Sequence, residues 1–352
     1  MNDDFIDDFG PVDYEPGLYD RWRPALFAFA VLLTVVAIAV VRNSSSNEST
    51  NGSNPDVVVD SSAVPRETVP LTRTLRDGMK GDDVLRLQER LAELKFDPGP
   101  RDGVFGQNTL QAVWAFEKLV LDTPRANAKG EVTPSIWSIM ESDLQITPRR
   151  VADSPRHVEI DLVKQVMVVY QGGSPTLITH ISTGSNEQWC EEVTIDPGEE
   201  GNNTREQIKK GLCGDAITPP GIFYFYNRKQ GMRESRLGSM YNPVYFNYGI
   251  AVHGAHEVPD FPASHGCIRI PMHISEYFQT LVAKGDQVFV FDGVKEPEEY
   301  GAQVPRFNWR DPNYTTTTST TTTAPKPTTT PAPATTVPAP PPATTTTLPP
   351  PA

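Results

Sequence analysis

Basic residues are scarce in this chain, whose 352 residues include 31 Lys and Arg against 44 Asp and Glu, a net charge of −13. A protein that holds nucleic-acid phosphates without reading the bases needs clustered Lys and Arg side chains. The charge balance therefore argues against nucleic acid as a partner. Hydrophobic residues are also few, at 38% of the chain, below the roughly 45–50% of an average globular domain. Part of the chain is accordingly expected to remain unfolded.

The shortage of hydrophobic residues is most severe at the C-terminal end. Residues 315–352 include 17 Thr and 11 Pro, a composition that cannot build a packed core. The strand-like pattern described below is lost after Asp292, so we predict a disordered, Thr/Pro-rich tail over residues 294–352. An extended polyproline-like stalk, a glycosylated segment and a partner-binding tail are all compatible with this composition.

Long apolar runs are absent except for residues 25–41, which are 17 consecutive residues without a charge. As a helix they would span about 26 Å, which is enough to cross a thin bilayer. Arg21 and Arg23 precede the run and Arg42 follows it, a bias that places the N-terminus inside. We predict one transmembrane helix here, with a cytoplasmic acidic tail over residues 1–24 and a flexible linker over residues 42–71.

A cleaved secretory signal is the alternative interpretation of residues 25–41. The first 20 residues contain seven acids and no base, which opposes it because a signal peptide begins with a basic segment. Both interpretations export the rest of the chain. We expect a single-pass protein of the cell membrane with its folded domains outside.

Cysteine is rare, with residues only at positions 190, 213 and 267. In an oxidising compartment, Cys190 and Cys213 would form a disulfide that closes the polar, acidic segment between them. Two incidental surface cysteines are the alternative. Cys267 is left over, and an odd cysteine in an exported protein is an accident, an intermolecular link or a reactive thiol.

Residues 72–142 have the apolar spacing of a small helical domain. Apolar residues recur three and four positions apart in three short runs, and the third run begins with Thr133 as a cap and Pro134 in its first turn. The residues that carry the spacing are Val84, Leu87, Leu91, Leu94, Leu110, Val113, Phe116, Ile136, Trp137 and Met140.

From residue 155 to residue 293 the pattern changes to short strands. β-Branched and aromatic residues alternate or run together at 158–162, 166–170, 177–182, 222–226, 244–246, 250–252 and 288–291. One helix interrupts them, because Ile274, Tyr277, Phe278 and Leu281 follow helical spacing. We therefore predict a mainly β domain with one packed helix.

Cys267 follows His253, His256 and His265 within 14 positions. Acyl transfer needs a thiolate, and a neutral thiol with a pKa near 8.5 is only slightly ionised at neutral pH. A neighbouring imidazole can favour the thiolate by ion pairing and later protonate the leaving amine. A zinc site is the alternative, although zinc ligands drawn from one loop without paired cysteines are unusual.

The cysteine stretch closely resembles the signature of the L,D-transpeptidases with a YkuD-type catalytic domain. The resemblance consists of a His-Gly pair at 253–254, then the sequence Ser-His-Gly-Cys at 264–267, an apolar residue and Arg269. It extends upstream through residues 160–162, 168–170, 182–184 and 218–223, over about 140 residues in the same order. It implies a YkuD-like mixed sandwich. Residues 185–217 are an insertion relative to the family, and the disulfide is expected to hold this insertion near the cleft.

The helical domain resembles a three-helix peptidoglycan-binding domain over its whole length. The resemblance lies in GMKGDDVLRLQERLAELKF, DGVFGQNTLQAVWAFEKL and GEVTPSIW. It implies that the cell wall is a partner of this protein. The resemblance assigns no individual ligand contact.

The transpeptidase resemblance implies roles for individual residues. Cys267 would be the nucleophile and His253 the proton acceptor and donor, with the Gly254 carbonyl orienting the imidazole. Arg269 would organise the site or hold a substrate carboxylate, a task suited to its planar guanidinium group. His256 matches no position of the signature and is expected to be a solvated loop residue.

The same resemblance assigns the oxyanion site to the turn before the nucleophile. The backbone N–H groups of His265, Gly266 and Cys267 would stabilise the oxyanion, and Ser264 would support the turn. Gly266 permits a tight turn because it lacks a Cβ. No metal or organic cofactor is implied, because protein groups supply both activation and oxyanion stabilisation.

The implied reaction is attack by Cys267 on the tetrapeptide stem of peptidoglycan, with release of D-alanine and formation of a thioester. A side-chain amine of a neighbouring stem would then take the acyl group to give a 3-3 crosslink. Water as acceptor would make the protein an L,D-carboxypeptidase. Another cysteine peptidase or amidase activity on wall peptides, and a catalytically silent wall-binding protein, are further alternatives.

Overall fold

The computed structural model describes residues 57–59, 69–198, 202–301, 303, 305 and 307–314. The predicted cytoplasmic tail, the predicted transmembrane helix at 25–41, most of the predicted linker and most of the Thr/Pro-rich tail lie outside these residues. Within the described ranges, no helix has both the length and the apolar character needed to cross a membrane.

The helical domain consists of α1 (Asp82–Glu93), α2 (Gln107–Leu119) and α3 (Pro134–Met140), at the positions that the apolar spacing predicts. Helix α1 buries Val84, Leu87 and Leu91, which lie three and four positions apart on one face. The predicted cap of α3 is present, because the Thr133 side chain accepts a hydrogen bond from the backbone N–H of Ile136 at 3.2 Å.

The rest of the described chain is mainly β, with one further α-helix, α4 (Met272–Leu281), and a short 3₁₀ helix at Pro297–Glu299. The strands are β1 (Val57–Val59), β2 (Leu144–Ile146), β3 (Arg156–Asp161), β4 (Val166–Gln171), β5 (Ser174–His180), β6 (Gln188–Ile195), β7 (Ile208–Asp215), β8 (Gly221–Tyr224), β9 (Asn227–Arg228), β10 (Met232–Ser235), β11 (Gly238–Asn247), β12 (Ile250–Ala255), β13 (Ile268–Pro271), β14 (Gln287–Phe291) and β15 (Phe307–Arg310).

Two five-stranded sheets form the sandwich. One has the order β5-β4-β3-β14-β8, and the other has the order β10-β11-β12-β13 with β9 paired to β11. The β3–β14 and β12–β13 pairs are parallel and the other pairs are antiparallel, so both sheets are mixed. Apolar side chains of both sheets and of α4 share one core, which includes Val158, Ile160, Val252, Ile268 and Phe278. This is the predicted mixed sandwich with one packed helix.

Strand β4 is buried on both of its faces. Met167 and Val169 belong to the core of the sandwich, whereas Val166, Val168 and Tyr170 belong to the core of the helical domain. Because side chains alternate along a strand, the helical domain packs on the outer face of the β5-β4-β3-β14-β8 sheet. The two domains predicted from sequence therefore share a continuous apolar contact.

Two segments predicted to lack structure contain strands. Strand β1 lies within the predicted linker and pairs with β2, with Val57 opposite Ile146. Its three consecutive valines favour an extended conformation. Strand β15 lies within the predicted tail and pairs with β7, with Trp309 opposite Cys213. It covers an edge of β7 whose backbone groups would otherwise lack strand partners.

Candidate active site

The parallel pairing of β12 and β13 brings the predicted catalytic residues together. Val252 lies opposite Ile268, and His253 lies opposite Arg269. Residues paired across two strands share a face, and so do residues two positions apart along one strand. Cys267 immediately precedes β13 and is two positions from Arg269, so the alternation of β13, continued by one residue, predicts its side chain on the face of His253. The charge of Arg269 acts on both the thiol and the imidazole.

The His253 ring is buried and has one defined tautomer. Its Nδ1 atom lies 2.9 Å from the Gly254 carbonyl oxygen. A carbonyl only accepts hydrogen bonds, so Nδ1 carries the proton and Nε2 has a free electron pair. The residue after His253 must be small, because a Cβ at Gly254 would lie 2.1 Å from the Ser275 hydroxyl of α4. Packing of α4 thus fixes the carbonyl that orients the imidazole.

Burial keeps both members of the pair uncharged at neutral pH. It lowers the pKa of His253 to about 4, and the positive charge of Arg269 acts in the same direction. It also raises the pKa of the Cys267 thiol, against the opposing effects of the Ala251 backbone and Arg269. The Cys267 sulfur lies 3.8 Å from the Gly249 carbonyl oxygen, within reach of a weak hydrogen bond from the thiol. The expected ion pair of thiolate and imidazolium is therefore not the favoured resting state.

Hydrogen bonds hold the turn before Cys267 at both ends. The Ser264 hydroxyl donates to the Cys267 carbonyl at 2.5 Å and accepts from the Gly266 N–H at 3.0 Å. The Thr218 hydroxyl donates to the Gly266 carbonyl at 2.7 Å. Gly266 has a φ of +135°, and a Cβ there would lie 3.0 Å from the Ile217 carbonyl oxygen. The turn therefore requires glycine at this position.

The insertion at 185–217 forms a β-hairpin of β6 and β7 that reaches this turn. Cys190 and Cys213 lie opposite each other in the hairpin and form a disulfide. Glu191 accepts a hydrogen bond from Nε2 of His265 at 2.9 Å, and the edge of the Trp189 ring contacts the same imidazole with ring centres 5.1 Å apart. The insertion thus orients the His265 side chain, two residues before Cys267.

The disulfide should leave a single titratable thiol in the folded protein. Without reductant, we expect one thiol per chain to react with a thiol reagent, and three after reduction and unfolding. Replacing Cys190 and Cys213 by serine should lower the free energy of unfolding by about 3 kcal/mol, because the crosslink closes a loop of this length. Urea denaturation measures that loss, and Cys267→Ser is the matched control that should leave it unchanged. Three reactive thiols in the folded chain would contradict the bridge.

Two tyrosines that the sequence analysis missed lie near Cys267. Tyr245 lies opposite Ala251 on β11, and the Tyr226 ring is 6.3 Å from the Tyr245 ring between centres. Burial raises the pKa of Tyr226 to about 12 and also raises the pKa of Tyr245, and the charge of an ionised Cys267 would act on both phenols in the same direction. The signal in the sequence is alternation, since Val244 and Phe246 face the core and place Tyr245 on the opposite face.

Of the three histidines that precede Cys267 within 14 positions, His256 is exposed in the loop after β12, as expected for a solvated residue. The zinc alternative requires Cys267 to converge with several histidines. Over the part of the chain that the structure describes, no group of three or more metal-ligating side chains includes Cys267.

Comparison with known proteins supports the relationship suggested by the sequence. Residues 155–290 match the family model of the YkuD L,D-transpeptidase catalytic domain, and residues 80–119 match that of a peptidoglycan binding domain. An L,D-transpeptidase from Xylanimonas cellulosilytica DSM 15894 is 31% identical, with a TM-score of 0.51 over 64% of this chain and 100% of that chain. An L,D-transpeptidase from Stackebrandtia nassauensis is 22% identical, with a TM-score of 0.34 over 64% of this chain and 97% of that chain. A search of curated proteins finds no match.

Proposed function

Because this chain belongs to the L,D-transpeptidase family, we propose that it forms 3-3 crosslinks in peptidoglycan through a thioester on Cys267. The family is one of acyltransferases, and the helical domain supplies contact with the cell wall. The observation that supports the proposal is the parallel pairing of β12 and β13, which sets His253 opposite Arg269, two positions after Cys267. The Gly254 carbonyl leaves Nε2 of this imidazole free to accept a proton.

The first half-reaction forms the thioester. The Cys267 sulfur attacks the carbonyl of the L-centre of the donor stem while Nε2 of His253 takes the thiol proton. Proton transfer during attack suits a pair that is neutral at rest, since neither group has to carry an isolated buried charge beforehand. The tetrahedral intermediate then collapses, and the imidazolium returns its proton to the amine of the departing D-alanine.

The oxyanion of this intermediate would be held by the turn before the nucleophile. The sequence resemblance assigns it three backbone donors, but the Gly266 N–H already donates to Ser264. We therefore assign the oxyanion to the N–H groups of His265 and Cys267. Arg269 lies on the same face as the reacting pair, where its charge would hold the terminal carboxylate of the donor.

The second half-reaction transfers the acyl group. An amine of a neighbouring stem attacks the thioester carbonyl and gives its proton to His253. The sulfur leaves and is protonated, which restores the resting thiol. Water in place of the amine would release a tripeptide instead of a crosslinked product.

The disulfide supports placement of this domain outside the cytoplasm, because such bonds persist in oxidising compartments. With residues 25–41 as its membrane anchor, the catalytic domain would lie in or under the wall.

The proposal is tested with the full chain, a synthetic tetrapeptide stem and an acceptor stem with a free side-chain amine. Mass spectrometry should detect a crosslinked dimer and one D-alanine released for each dimer formed. Accumulation of tripeptide alone would identify an L,D-carboxypeptidase instead. Absence of any turnover, with wall binding retained, would leave the silent binding protein as the better description.

A further inference from the structure

The segment that joins the two catalytic residues is held by the helical domain. We call residues 256–264, between β12 and the turn before Cys267, the connecting loop. The Val258 carbonyl accepts a hydrogen bond from the Gln111 side chain of α2 at 3.1 Å. The Asp260 carbonyl accepts one from Arg125 at 3.4 Å, from the short helical turn after α2. Two backbone carbonyls of the connecting loop thus bind side chains of the wall-binding domain directly.

The carbonyl between them is held through a buried relay. Nε2 of His180 lies 2.8 Å from the Pro259 carbonyl, and Nδ1 of the same ring lies 2.7 Å from the Lys118 amine of α2. Nδ1 also lies 3.2 Å from the Gln165 carbonyl oxygen. A carbonyl only accepts, so we assign the proton to Nε2, which has the shorter carbonyl contact, and Nδ1 then accepts from Lys118. Burial lowers the pKa of His180 to about 3, which keeps the ring in this neutral form. The Lys118 amine also donates to the Gln165 carbonyl at 3.0 Å.

These contacts are buried and come from one element. The side chains of Gln111 and Lys118 both project from α2, and they are 5% and 1% exposed. Buried polar groups are costly unless they are hydrogen-bonded, so breaking either contact leaves an unsatisfied group in the interface. The connecting loop therefore has one strongly favoured position against α2.

The other side of the connecting loop binds the catalytic domain. The Ser182 hydroxyl donates to the Phe261 carbonyl at 2.7 Å, and the Thr183 carbonyl accepts from the N–H groups of Ala263 and Ser264 at 2.9 Å each. Ser264 in turn bonds both Gly266 and Cys267. Hydrogen bonds at both ends of the connecting loop, together with its backbone, thus link α2 to Cys267.

We propose that Gln111 and Lys118 are positioning residues for acyl transfer, acting from the wall-binding domain on the connecting loop and through it on the turn that carries Cys267. The helical domain then has two tasks, contact with the wall and placement of the nucleophile. The kinetic part of this inference rests on the proposed function, whereas the placement of the loop can be measured without it.

The test compares full-length Gln111→Leu and Lys118→Met with wild type. The rate at which a donor tetrapeptide acylates Cys267 should fall about tenfold in kcat with little change in KM, since displacements of about 1 Å cost this much or more. Amide hydrogen exchange in residues 256–264 should become faster in both variants. Gln107→Leu, the same substitution at an exposed position of α2, should change neither quantity.

A second control separates positioning from general loosening of the interface. Tyr277 of α4 donates a hydrogen bond to Asp97 of the helical domain, a contact that includes no residue of the connecting loop. Tyr277→Phe should lower the Tm without slowing acylation. Wild-type kcat and wild-type exchange in Gln111→Leu would overturn the inference, as would an equal loss of kcat in Tyr277→Phe. If wild type is not acylated, the proposed function fails, and loop exchange and the rate of Cys267 alkylation by iodoacetamide decide the inference.

Discussion

Cys267→Ala should reduce formation of crosslinked product by at least about 10⁴-fold, because no thioester can form without the sulfur. The intact-protein mass of wild type should increase by that of the acyl tripeptide when the donor stem is added. The variant should show no such adduct. Both measurements depend on the thioester bond to the Cys267 sulfur. If Cys267 is the nucleophile, the alanine variant should therefore lose the adduct and the crosslinked product together.

The Cys267→Ala variant should otherwise behave as wild type. The side chain contributes little volume to the interior, so the Tm should change only slightly, and binding to isolated cell walls should be retained. Retained binding with lost turnover separates an enzyme from a silent binding protein. Undiminished crosslinking by the alanine variant would rule out the thioester route.

His253→Gln should lower kcat/KM by about 10²–10⁴-fold at pH 7, which is the usual contribution of a positioned general base. Burial lowers the pKa of His253 to about 4. Wild type should therefore lose activity only as the pH falls toward about 4, rather than near the value of about 6.5 for an ordinary histidine. In the variant, hydroxide must ionise a thiol whose pKa is raised. Its rate should increase with pH, so the difference from wild type should narrow in alkaline solution.

Measurement of kcat/KM from acid to alkaline pH checks both parts of this expectation. His256→Gln is the matched control, since it makes the same substitution at an exposed histidine of the same chain segment. It should retain the wild-type profile. A wild-type acid limb centred near pH 6.5 would mean that the imidazole ionises as it does in water, and the neutral resting pair would then be wrong.

Local pattern predicted several elements around the site, but not β13, which pairs with β12. Helical spacing located α1, α2 and α3, and β-branched runs located β3, β4, β12 and β14. Helical spacing and β-branched runs depend on neighbours in sequence, so these elements could be predicted without knowing the tertiary structure. The pairing of Cys267 with His253 is implied by the resemblance to the L,D-transpeptidase signature and stays a prediction.

The insertion was harder to predict because its strand pattern is interrupted. In β6, Trp189, Val193 and Ile195 lie on one buried face, but Glu191 occupies the same face between them. A carboxylate there argues against a strand when the sequence is considered alone. The structure explains it, because Glu191 binds His265 outside the hairpin. The interruption marks the point at which the hairpin meets the site.

Lys118 could not be assigned from sequence for a related reason. A lysine near the end of an amphipathic helix is ordinarily solvated. Lys118 is buried because the catalytic domain packs against α2. Its contacts lie 47 and 62 positions away along the chain. Residues that gain their role from a partner domain leave no local periodicity to detect.

The burial of β4 on both faces leads to an expectation for homologues whose catalytic domain lacks the helical domain. Val166, Val168 and Tyr170 are apolar because the helical domain covers them. A homologue that had lost that domain would expose these three side chains to water and would gain solubility from polar residues at the same alternating positions. Apolar residues at alternate positions of β4 thus indicate that a second domain packs on this face of the strand, and polar residues there would indicate that none does.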